Sequence, residues 1–73
     1  MIRKVTIGTD YKMGMHYELG QFVIDRKGEH KISLIKKTDT GSIKIYISNS
    51  KNEHMQWKEF NSAVPMSIEY DVV

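Results

Sequence analysis

The stretch KISLIKKTDTGSIKIYISN, residues 31–49, interleaves Lys31, Lys37, Lys44 and Tyr46 with apolar side chains along two arms around a glycine-containing turn. Ammonium groups beside an aromatic ring can hold a single-stranded polyanion. The lysines meet phosphates and the ring stacks on a base, each stack being worth about 1–3 kcal/mol. Arg26 and Lys27 stand in DRKGEH, just before the first arm, and add charge at one end. The same lysines also suit an ordinary solvated sheet face, with Tyr46 as a half-buried cross-strand partner. Register decides between the two, because a one-residue slip turns side chains to the other face. Placing Ile32, Leu34, Ile43, Ile45 and Ile47 on one face sets Lys31, Ser33, Ile35 and Lys37 opposite Ser42, Lys44, Tyr46 and Ser48. That register gathers Lys31, Lys37, Lys44 and Tyr46. Asp39-Thr40-Gly41, however, suits a type I turn followed by a left-handed glycine, a connection that shifts the pairing by one.

Other chemistry finds little purchase. His16, His30 and His54 are widely separated, and none has a second ligand at helical or hairpin spacing, so a metal site is not expected. No serine sits in a nucleophile elbow, no glycine-rich loop leads into a helix, and no carboxylate pair stands out as acid and base. The sequence therefore predicts a non-catalytic protein without cofactors. Cysteine is absent, which excludes disulfides and thiolate metal sites. In 73 residues there is room for one domain, spanning residues 1–73, with a thin stability margin. Self-association is the supplement left to it.

The elements that must position these residues read as mostly β. Arg3 to Ile7 forms a first strand, with GTDYKMG as its turn. Met15, Tyr17 and Leu19 alternate with His16 and Glu18, and after Gly20 the apolar phase slips by one, to Phe22 and Ile24. A glycine at a phase slip marks a β-bulge, so Met15 to Asp25 is expected as one long, bent strand. DRKGEH is the next turn, and residues 31–49 are a hairpin. SKNEHMQWKEFN reads differently: Ser50 and Glu53 match a capping box, and Trp57, Phe60 and Val64 fall on one helical stripe that Pro65 stops. Met66, Ile68, Tyr70 and Val72 then alternate as a last strand. The expected fold class is α+β, a small curved antiparallel sheet of about five strands with one short helix near the C-terminus. Trp57 and Phe60 are expected to pin that helix to the sheet.

Pieces between Phe22 and Phe60 resemble the single-stranded DNA-binding domain of the transcriptional coactivator positive cofactor four. The matching pieces are Phe22-Val23, Lys27-Gly28, Ile32 to Leu34, Ile45 to Ser48 and Gln56-Trp57. The resemblance implies a homodimer with helices at its interface and a role in transcription. It also implies that Phe22, Lys27, Lys31 and Lys44 face single-stranded DNA, with Trp57 structural.

Charge is compatible with such a partner without requiring it. The net charge is +2, but residues 1–46 carry nine Lys/Arg against five Asp/Glu, and residues 47–73 two against four. No apolar run approaches the roughly 20 residues of a membrane span, and the N-terminus lacks a signal peptide's apolar core. A cytoplasmic location is expected. The leading expectation is a protein binding single-stranded DNA or RNA. The alternative is a protein-binding regulator or inhibitor acting through an exposed strand edge, such as MSIEYDV with its acidic Glu69 and Asp71.

Overall fold

The computed structural model describes residues 1–8, 14–49, 51, 53–61 and 66–71. These form seven β-strands and no helix: β1 (Ile2–Ile7), β2 (Met15–Glu18), β3 (Phe22–Asp25), β4 (Gly28–Lys37), β5 (Ile43–Ser48), β6 (His54–Phe60) and β7 (Met66–Tyr70). They make two antiparallel sheets, ordered β2-β1-β7 and β3-β4-β5-β6. The fold is all-β, which corrects the expected α+β class and the count of about five strands.

The expected helix is replaced by β6. Trp57 and Phe60 do share a face at a spacing of three, but a bulge brings them there. Ile45 lies opposite Lys58 while Tyr46 lies opposite Gln56, so Trp57 is an extra residue in β6. Its indole meets Tyr17 edge-on at 5.8 Å, and Phe60 lies 5.8 Å from the same Tyr17 ring. Ser50, Val64 and Pro65, on which the helix reading also leaned, lie outside the described residues, as do residues 9–13 of the first turn.

The expected long strand from Met15 to Asp25 is divided at Gly20, with its halves in different sheets. Leu19 N–H donates to Arg3 O at 2.9 Å and so still belongs with β1. One residue later Gly20, at φ +84°, donates to Ile32 O, and Ile32 N–H donates to Gln21 O, both at 2.9 Å. This is a bulge with glycine in its first position, the device expected at the phase slip. It turns the chain from one sheet into the other.

Ile2, Val5, Ile7 and Tyr17 of the smaller sheet pack against Ile32, Ile35, Ile43 and Ile45 of the larger one. Each such isoleucine contributes about 1.5–3 kcal/mol when buried. Their β-branched side chains suit the pleated backbone, which accounts for a core built almost wholly of isoleucine and valine.

Candidate functional site

Gly41 sets the register of the hairpin. It stands at φ +88°, its N–H donates to Thr38 O at 2.9 Å, and Thr38 N–H donates to Ser42 O at 2.8 Å. The three-residue glycine connection thus forms, and pairing follows it: Leu34 opposite Tyr46, Ile35 opposite Ile45, Lys36 opposite Lys44 and Lys37 opposite Ile43. A second bulge between Ile32 and Leu34 restores the other register, with Ile32 opposite Ile47. Both Ile32 and Ile35 thereby reach the core.

This redistributes the expected site. Lys31, Lys44 and Tyr46 share the outer face of the larger sheet, away from the core, and Phe22, opposite Lys31, joins them. Lys37 does not: it lies across from buried Ile43, on the inner side of the sheet. Lys36 takes its place. Its Nζ sits 5.7 Å from the Tyr46 ring centroid, within the range of a cation–π contact. The sequence reading missed Lys36, although the Asp39-Thr40-Gly41 turn carried the signal. Lys36 and Lys44 are like charges in a cross-strand pair, and Glu59 stands on the far side of Lys44. Arg26 and Lys27 occupy the β3–β4 turn, exposed but at the sheet's end.

The inner face of the same sheet carries a second feature, which no sequence motif announced. Where the smaller sheet no longer covers it, an open cleft of about 440 Å³ is lined by residues including Asp25, Lys27, His30, Met55, Trp57 and Lys58. Asp25 anchors it. Its Oδ1 accepts from Lys27 N–H at 2.8 Å and from His30 Nε2 at 3.0 Å, and its Oδ2 accepts from Trp57 Nε1 at 3.1 Å. The Lys27 amide, then the His30 and Trp57 donors, hold the carboxyl below the usual carboxylate range, and partial burial opposes them. Lys58 Nζ lies over the Trp57 ring at 4.7 Å. The cleft's own side chains therefore satisfy one another.

His16, His30 and His54 stay apart, each with its own partner: Thr6, Asp25 and Ser33 respectively. Among the described residues no three His, Cys, Asp or Glu side chains group as metal ligands, and no helix is long and apolar enough to cross a membrane. Set against family models, curated proteins and solved structures, the chain matches none of them.

Proposed function

We propose that this protein binds single-stranded nucleic acid, without catalysis, on the outer face of its larger sheet. The observation that carries the reading is the gathering of Lys31, Lys36 and Lys44 with Phe22 and Tyr46 on that one face. Phosphates run along the lysines, and bases stack on the two rings. The resemblance to the positive cofactor four domain implies the same kind of partner, and a role in transcription is part of what it implies. The helix it implies has given way to β6, so its helical dimer interface has no counterpart among the described residues.

The test is anisotropy of a labelled oligonucleotide titrated with the protein between about 50 and about 200 mM salt. Each lysine–phosphate contact on a single strand contributes about 0.7 to the log–log salt slope, so three lysines give a slope of about −2. Absence of binding, or affinity independent of salt, overturns the proposal.

A second reading rests on β7, an edge of the smaller sheet that pairs with β1 alone among the described residues. Its exposed side chains include Glu69 and Tyr70, the latter 55% exposed. A partner adding a strand there would be a protein with a basic margin. Co-purification from cell extract treated with nuclease separates the readings: a protein partner that survives nuclease and is lost on altering β7 supports this one.

A further inference from the structure

We propose that β3 is the edge through which two copies of this chain join, antiparallel about a two-fold axis, with Phe22 opposite Ile24 of the second copy. Backbone parity leaves one side of β3 open. Ile32 N–H donates to Gln21 O, so Gln21 turns its backbone toward β4. Along an antiparallel strand this orientation alternates. Val23 and Asp25 therefore also bond to β4, and the N–H and C=O groups of Phe22 and Ile24 point away from it. Among the described residues no strand takes them up.

These are also the residues whose side chains stand out, Phe22 at 61% and Ile24 at 78% exposure. Natural edges are blunted by lysine, proline or a bulge within the strand. β3 reads Phe-Val-Ile-Asp and has none of these. Its open backbone and its apolar surface coincide.

Charge selects both the occupant and the register. Within one copy Phe22 lies beside Lys31, and Ile24 beside Glu29. With Phe22 facing Ile24 of the second copy, each row across the junction reads Lys31, Phe22, Ile24, Glu29. The apolar pair is flanked by opposite charges, and both residues exchange two hydrogen bonds. Shifting so that Phe22 faces its own copy leaves lysine at both ends of that row. Shifting so that Ile24 faces its own copy leaves glutamate at both ends. Only the proposed register is complementary to itself, which is what an isologous contact requires. The larger sheets then run on as one eight-stranded sheet, with the lysine faces of both copies on the same side.

The experiment is sedimentation velocity over a concentration series, without nucleic acid, combined with amide exchange resolved by residue. The wild-type chain is expected to dimerise, with the Phe22 and Ile24 amides protected in the dimer. Ile24→Lys, at a site already mostly exposed, is expected to weaken the dimer by about tenfold or more, while Ser67→Lys on the β7 edge leaves it unchanged. A chain that stays monomeric at every concentration overturns the proposal, as does a dimer dissolved by Ser67→Lys but not by Ile24→Lys. Should Ile24→Lys lose its far-UV spectrum, free exchange of the wild-type Phe22 and Ile24 amides in the dimer would be the overturning result. None of these readouts depends on nucleic-acid binding.

Discussion

Asp25 draws donors from three places in the chain: the Lys27 backbone, the His30 ring and the Trp57 indole. These bonds favour its ionised form, so its folded pKa lies below the value of about 3.9 in an unfolded chain. A depressed folded pKa adds stability that is fully present above the unfolded value and fades as pH falls through the folded one. Thermal melts should accordingly show a midpoint that drops on acidification below about pH 4. Asp25→Asn should lower the midpoint at neutral pH and flatten that acid slope. A slope unchanged in the variant would place its origin elsewhere. The hairpin lysines allow an equally local test. Lys36→Glu should weaken oligonucleotide binding by about tenfold, since it removes one phosphate contact and adds repulsion, whereas Lys37→Glu, on the inner side, should change it by less than about twofold. Equal losses in the two variants would contradict the observed register as the basis of binding.

At the scale of elements, the strands from Arg3 to Ile7 and from Met66 onward, the turns at Gly28 and Gly41, and the phase slip at Gly20 were all legible. Each rests on local alternation or on a glycine with positive φ. Residues 54–60 were not, and the reason is specific. Apolar pairs spaced by three occur at Ile2/Val5, Ile32/Ile35 and Trp57/Phe60, and a bulge or register shift accompanies each pair. Periodicity cannot separate such a bulged strand from one turn of helix. Ser50 and Glu53 add the spacing of a capping box ahead of it. The same blindness hid Lys36, because the second hairpin bulge lets both registers operate in one strand. Bulges are thus structural parts here, and the one at Gly20 can be probed directly. A Cβ there would meet nothing closer than the Lys31 side chain at 4.0 Å, so its cost is backbone strain alone. Gly20→Ala should destabilise the fold by about 1–2 kcal/mol, and Gly20→Asn by less, because asparagine tolerates the left-handed region better. Urea denaturation measures both, and equal stability of all three chains would contradict the strain argument.

For the molecule as a whole, the two sheets share one core, and the chain passes between them at the Gly20 bulge and again between β6 and β7. Val5, Ile43 and Ile45 are each 0% exposed, and they come from both sheets. Neither sheet has an apolar face of its own to bury elsewhere, so the sheets should unfold together. Ile45→Ala tests this at the centre. Ile45 lies in β5, between β4 and β6, and its truncation should cost about 2–5 kcal/mol. That is a large fraction of the stability a chain this short can hold. Two optical probes report on different parts. Trp57 fluorescence follows the junction of the sheets, where its indole bonds to Asp25 of β3 and meets Tyr17 of β2, while far-UV circular dichroism follows the strands of both sheets. In wild-type and variant protein alike the two denaturation curves should superimpose, with the variant midpoint shifted equally in each. A variant in which Trp57 emission changes before the dichroism would mean that the sheets part before their strands melt, and the single shared core would then be the wrong description.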